Sequence, residues 1–313
     1  MTALAPPAAA PVAAAGRSPS RLVWERLRRD RAARFGLIVV ALFVLIALSA
    51  PLLTKLNGWS PYDFDPTAID KELAGVPKGA LGGISAEHWL GVEPVSGRDI
   101  FSRIVYGARI SLLISALATV VSVLLGTTFG LLAGYFGGWV DAAISRVMDL
   151  LMSFPSLIFM IALISVIPDG DRVTLLVCIM GGFGWPYIGR IVRGQAITVK
   201  HREYVEAARV GGAMGGGLLF REILPNITAP ILVYATLSIP ANIGTEAALS
   251  FLGVGVRPPT ASWGQMIQES MLWYEVDPMY FIVPGLCLFL TVLAFTLLGD
   301  ALRDAIDPKG ARR

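Results

Sequence analysis

Residues 110–140 read ISLLISALATVVSVLLGTTFGLLAGYFGGWV, with no charged side chain from end to end. The hydrocarbon core of a bilayer is roughly 30 Å thick, and a helix rising 1.5 Å per residue crosses it in about 20 residues. This stretch is long enough to span a membrane. Further charge-free runs at residues 35–54, 150–168, 173–189, 223–245 and 278–299 have the same character. In lipid, only a helix or a closed barrel satisfies its own backbone groups, and barrel strands would alternate polar with apolar residues. No such alternation is present. Each run reads as one helix, and the chain as an all-α protein with six transmembrane helices.

Composition agrees with that reading. The 313 residues are 55% hydrophobic and 16% charged, against about 25% charged in a soluble domain, and the mean hydropathy is +0.65. Basic residues are placed unevenly. Arg17, Arg21, Arg26, Arg28, Arg29, Arg31 and Arg34 precede the first span; Arg190, Arg193, Lys200, Arg202, Arg209 and Arg221 lie between the fourth and fifth; Arg303, Lys309, Arg312 and Arg313 follow the sixth. The positive-inside rule puts these segments, and both termini, in the cytoplasm. The loops carrying only Arg172 and only Arg257 belong outside.

The organisation that follows is a cytoplasmic N-terminal tail over 1–34, Ala/Pro-rich and disordered to residue 20 and then basic and amphipathic. Residues 35–54 form the first span, an uncleaved signal anchor, because Leu48 breaks the small-x-small pattern and Pro51 follows. Residues 55–107 make an extracytoplasmic segment rich in Pro, Gly and Asp, which should lie against the membrane domain. The core of spans two to six covers 108–306 and is interrupted by a cytoplasmic loop at 200–225. A short cytoplasmic tail, 307–313, ends the chain.

Several function classes are excluded. None of the lysines follows a glycine-rich loop and precedes Ser or Thr, so the chain has no P-loop for ATP. There is no catalytic Ser/His/Asp set, no supported pair of carboxylates and no basic-aromatic surface for nucleic acid. His88 and His201 have no metal-ligand neighbours at the required spacing. Cys178 and Cys287, inside spans four and six, read as structural thiols. No catalytic site, metal or cofactor is expected.

Four glycines, Gly126, Gly130, Gly134 and Gly138, recur at spacing four in the second span and form a stripe for close helix packing, or for a flexible gating helix. Glu246, preceded by Pro240 and Gly244, is an intramembrane carboxylate and hence a functional candidate. It suits a structural or gating hydrogen bond, or the relay of an ion-gradient-driven secondary transporter. Asp149 stands three residues from Arg146, the spacing of a local ion pair.

The cytoplasmic loop carries the sharpest motif, REYVEAARVGG at 202–212 followed by ILPN at 223–226. It reads as a short helix ended by a glycine pair, with Tyr204, Ala207, Ala208 and Gly211 on one narrow face. Ala and Gly add little membrane burial, so the face suits a groove on another protein. Glu206, Ala207, Ala208, Gly212, Leu224 and Pro225 stand at the spacing of the EAA loop of ATP-binding cassette (ABC) importer permeases, which the chain resembles. Glu222 departs from that pattern, which has an apolar residue there.

The remaining motifs narrow the resemblance to the second permease subunit of the dipeptide, oligopeptide and nickel importer family. They are His88-Trp89-Leu90-Gly91, Gly97-Arg98-Asp99, Ser102-Arg103, the run GARISL at 107–112, residues 149–155 with Phe154-Pro155, 246–253, Ser262-Trp263-Gly264, and 298–300 to Asp307-Pro308. The loop at 91–97 departs, with Val92-Glu93 and one extra residue, which bears on substrate class or binding-protein docking. The resemblance implies a type I importer permease fold in the bacterial cytoplasmic membrane, working by alternating access. It implies as partners two ATPase subunits, docked on the 203–211 helix, a homologous second permease, and an extracytoplasmic solute-binding protein. It makes Phe154, Pro155 and Glu246 gating or pathway candidates, and peptides the solute, with nickel complexes or glutathione-like compounds as alternatives.

Overall fold

The computed structural model describes residues 19–167 and 170–306. The expectations for residues 1–18 and for the 307–313 tail lie outside them. Helix α1 (Pro19–Arg29) is basic and is followed at once by α2 (Arg31–Asn57). Asp30 separates the two by capping α2, its Oδ1 accepting from the backbone N–H groups of Ala32 (2.7 Å) and Ala33 (3.1 Å). At the other end Gly58 takes the left-handed conformation, φ 85°, and its N–H donates to Thr54 O.

After a loop segment with a small antiparallel hairpin, β1 (Ile69–Asp70) and β2 (Val76–Pro77), the chain enters α3 (Ile100–Phe136). With 37 residues this helix is about 55 Å long and outreaches the bilayer core. Then come α4 (Gly138–Ser153), α5 (Ser156–Val166), α6 (Arg172–Val199), the short α7 (Glu203–Val210), a π-turn at Leu218–Ile223, α8 (Leu224–Phe251), α9 (Trp263–Ser270) and α10 (Pro278–Ile306). Helices α2, α3, α6, α8 with its π-turn, and α10 are each long and apolar enough to cross a membrane.

The run at 150–168 is not one helix. Its apolar residues belong to α4 and α5, which meet at 87°. The break is at Phe154-Pro155: Pro155 disfavours helical geometry in its predecessor, and Phe154 is extended, φ −89°, ψ 142°. Helix α5, with 11 residues, is about 16 Å long and cannot cross alone. Taken together, the bent pair has the length and apolar composition of one further span, bringing the candidates from five to six. Asp149 also differs from expectation, pairing not with Arg146 but with Arg190 of α6, while Asp141 pairs with Arg193 of the same helix. These partners lie one helix away, where sequence spacing gives no hint of them.

The closest packing in the bundle is α3 on α6. A Cβ at Gly126 would stand 2.8 Å from Ile188 Cβ, at Gly130 2.5 Å from Gly189 O, and at Gly134 2.7 Å from Ala196 Cβ. Gly138 does not share this role: it opens α4 beyond the end of α3, with nothing within 4 Å of its Cβ position. The packing stripe has three members. Gly130→Leu is expected to part the two helices and reduce the yield of monodisperse, detergent-extracted protein several-fold. Gly285→Leu, where α10 has open space at the Cβ, should leave the yield unchanged in the same gel-filtration assay.

Apolar packing divides by level. Ile114 and Ala118 of α3 meet Met160 and Ile164 of α5 and Leu176 and Met180 of α6. Phe43 and Ala47 of α2 meet Trp263 of α9 and Tyr280 of α10. Leu131, Ile188 and Val192 meet Ile223 and Ile227 at the end that bears α7.

Candidate functional site

Helix α7 is short because its sequence ends it on both sides. Arg202 precedes it in an extended conformation, and Gly211-Gly212 follow, Gly212 at φ 91°, which a residue with a side chain rarely adopts. Val205 is the one fully buried residue of the helix, and it faces the protein where α7 packs on the π-turn. Tyr204, Glu206, Ala207 and Gly211 are exposed, whereas Ala208 is half-buried beside the Val205 side of the helix. Ala208 is therefore not fully on the outward face assigned to it.

At the last position of α7 and just past the glycine pair, Val210 and Met214 are 90% and 80% exposed. Neither was singled out from sequence, although two apolar residues four apart flanking a glycine pair were there to be read. Leu224 is half-buried and Pro225 exposed in the first turn of α8, directly after the π-turn. Lys200 anchors the loop by donating from Nζ to Gly134 O, 2.9 Å, at the end of α3.

Above the loop, a groove of about 310 Å³ opens between α3, α6 and α8, with Ser122, Tyr187, Tyr234, Ser238 and Asn242 among its lining. Tyr187 is 68% exposed although it sits halfway along α6. Asn242 is positioned by donating to Thr119 Oγ1 (2.8 Å) and Ser122 by donating to Gly181 O (3.1 Å). Among the described residues, no ionisable group other than the two tyrosines lines the groove.

Glu246 is elsewhere, wholly buried in α8. One carboxylate oxygen accepts from Ser111 Oγ of α3 (2.9 Å), the other from Ser250 Oγ (2.8 Å). Each serine oxygen in turn accepts a backbone N–H, Ser111 from Trp263 and Ser250 from Val256. The residue staples α3, α8, the loop at 252–262 and α9 together. Phe154 is removed from it and stacks on Phe159, which stacks on Phe183, centroids 5.1 Å apart in both pairs.

The segment before α3 is tied down by charge. His88 lies buried between two carboxylates, Nδ1 3.0 Å from Asp99 Oδ1 and Nε2 3.2 Å from Asp65 Oδ2. Asp99 also caps α3 through Ser102 N–H and accepts from Asn57 Nδ2 at the end of α2. The Thr67 hydroxyl holds the Asp65 carboxyl below the usual carboxylate range, against the opposing effect of burial, with help from the Thr67 N–H and His88. The carboxylates face opposite ring nitrogens, not a common point, and among the described residues no group of three His, Cys, Asp or Glu is placed to hold a metal.

A second cluster joins Glu93, Arg98, Arg103, Glu269 and Tyr280. Arg98 Nε donates to Glu93 Oε2 at 2.6 Å, Arg103 ion-pairs with Glu93 Oε1, and the Tyr280 hydroxyl lies 3.1 Å from Glu93 and 3.0 Å from Glu269. Val92 and Glu93, whose departure from the family pattern bore on docking or substrate, are 0% and 1% exposed. Their role is internal.

The comparisons with known proteins agree with one another. Residues 126–312 match the family described as binding-protein-dependent transport system inner membrane component, and residues 18–74 match the N-terminal TM domain of oligopeptide transport permease C. The chain is 40% identical to the dipeptide transport system permease protein of Alkalihalophilus pseudofirmus, over 93% of this chain and 90% of that one. It is 40% identical to the glutathione transport system permease protein of Pectobacterium atrosepticum, over 94% and 92% of the two chains. The corresponding Escherichia coli protein is 38% identical, over 94% and 91%. With a family match over more than half its length and such relatives over nearly all of it, the chain belongs to the multi-pass inner-membrane permeases of bacterial binding-protein-dependent ABC importers.

Proposed function

We propose that this permease moves di- or oligopeptides, with glutathione as a peptide-like variant, and that α7 is the helix through which separate ATPase subunits drive it. The observation that carries the coupling role is the outward face of α7, where Tyr204, Ala207 and Gly211 stand beside the exposed Val210 and Met214. Apolar residues that free of cover on a loop suit burial against another protein. The partners are two ATP-hydrolysing subunits beneath α7, a homologous second permease facing the Tyr187 groove, and a solute-binding protein on the side of His88 and α9. Both termini then lie in the cytoplasm, on the side of the basic segments.

The groove supports the solute class. Tyr187, Tyr234, Ser238, Asn242 and Ser122 offer neutral donors and acceptors where three spans meet, and polar groups at that depth favour a solute path over a lipid-facing surface. Neutral hydrogen-bonding groups match the amides of a peptide main chain. Among the described residues, no carboxylate, histidine or cysteine is there to prefer a metal complex. Alternating access requires that the closed ATPase pair bind the two permease states unequally, so that ATP shifts their populations.

A secondary transporter driven through Glu246 is not favoured, because its two oxygens are each engaged by serine hydroxyls and no second carboxylate or histidine contacts it among the described residues. The test is uptake of a labelled dipeptide into proteoliposomes holding the assembled transporter and its binding protein. Uptake should require enclosed ATP on the ATPase side and persist with a proton uncoupler. Uptake that collapses with the proton gradient at fixed ATP would overturn the reading.

A further inference from the structure

Helix α1 does not lie loose beside the bundle. Arg26 Nη1 donates to Ala305 O in the last turn of α10, 2.9 Å, and fixes the helix across the ends of α2 and α10. Between these three helices and α8 runs a groove of about 220 Å³, walled by Trp24 and Leu27 of α1, Leu37 of α2, Thr236 of α8, and Leu298 and Leu302 of α10. Among the described residues, Arg28 and Arg34 are its only charged lining residues, and no acid lines it. Asp30, between them in the sequence, has a carboxylate oxygen occupied by the cap of α2.

The groove also sits at a particular level. Arg34 is the last charge before the apolar run of α2, and Asp300 is the first after that of α10. Leu37 and Leu298 therefore belong to the hydrocarbon level, and Arg28 and Arg34 to the headgroup level. Arg28 is held at the rim by the Trp24 ring, its guanidinium carbon 5.9 Å from the ring centroid.

We propose that this groove is a binding site for one anionic phospholipid, with an acyl chain along Leu37 and Leu298 and the phosphate at Arg28 and Arg34. Charge complementarity selects the occupant. An inorganic anion would leave the apolar groove beside Leu37 and Leu298 unfilled, and a zwitterionic lipid would bring a cationic headgroup beside two arginines, which an anionic lipid does not. The bound lipid would cement α1 to the bundle, a contact separate from the solute path and from α7. It does not depend on which solute is carried.

The experiment uses the intact transporter in detergent, with lipid retention read by native mass spectrometry after exchange into phosphatidylglycerol or phosphatidylcholine. Wild type should retain one phosphatidylglycerol per copy of this chain and no phosphatidylcholine. R28A/R34A should weaken retention on the order of tenfold or more, since each arginine near an anionic surface contributes appreciably. Leu37→Trp, which fills the groove without changing charge, should displace the lipid as well. Because Arg28, Arg34 and Leu37 are exposed, the variants should keep the wild-type elution volume. Equal retention of the two lipids, or retention unchanged in both variants, would overturn the proposal. So would cross-linking of Leu37→Cys to the second permease subunit, which would make a protein segment the occupant.

Discussion

Replacing Glu206 and Ala207 together by arginine should abolish ATP-driven uptake while leaving the permease folded and in the membrane. Both residues are exposed on α7, so the substitution disturbs nothing inside the chain. What it changes is the surface presented outward: a small methyl becomes a long cation and a carboxylate reverses its charge. Against a partner cleft, the first brings a steric clash and the second desolvates an unmatched charge. Together these should weaken docking by at least on the order of 30-fold.

The measurements are co-purification with the ATPase subunits and uptake at saturating ATP. Val205→Asp separates coupling from folding, because Val205 is buried beneath the same helix. An acid there should unseat α7 itself, which limited proteolysis of the loop would reveal, whereas the arginine pair should leave the proteolysis pattern as in wild type. Unchanged assembly and uptake in the arginine variant would remove the coupling role from α7.

Five crossings were legible because a charge-free run of sufficient length admits few other structures in lipid. Their ends were not. Helix α6 runs ten residues past Gly189, to Val199, because Arg190 and Arg193 find carboxylates on α4, and a paired cation does not end a helix. The break at Phe154-Pro155 was hidden among prolines that break nothing. Pro51, Pro186, Pro230, Pro240 and Pro284 all sit inside continuous helices, where neighbouring helices and local adjustment re-satisfy the backbone.

The candidate site divides the same way. A helix as short as α7, closed by two glycines, announces itself locally. That Val205 points inward and Ala208 half-follows depends on the π-turn, which comes later in the chain. The buried charges before α3 were least legible of all. Arg103 finds Gln265 across 162 residues and Tyr280 finds Glu93 across 187. Periodicity describes faces, and such partners are chosen by the fold.

Arg103→Leu should be the most destabilising substitution on the opposite face, by about 3–5 kcal/mol. The guanidinium is wholly buried and engages three elements at once: Glu93 by ion pair, Pro259 O at 3.2 Å, and Gln265 Oε1 at 2.9 Å. Glu269 lies 3.6 Å away. Removing it leaves Glu93, 1% exposed, with one cation where there were two, and leaves the Gln265 oxygen without its donor. Lysine should not rescue it, since a single ammonium cannot reach both acceptors in the fork geometry. The double variant Arg103→Leu/Glu93→Leu should recover part of the loss, because the carboxylate then no longer stays buried without its partner. Arg193→Leu supplies the contrast: that pair is partly exposed, 34% and 20%, and its loss should cost about 1 kcal/mol or less. Thermal melting of the detergent-solubilised transporter distinguishes the cases. If Arg103→Leu melts where Arg193→Leu does, the buried cluster does not hold the segment before α3, and the anchoring falls to His88 and its two carboxylates.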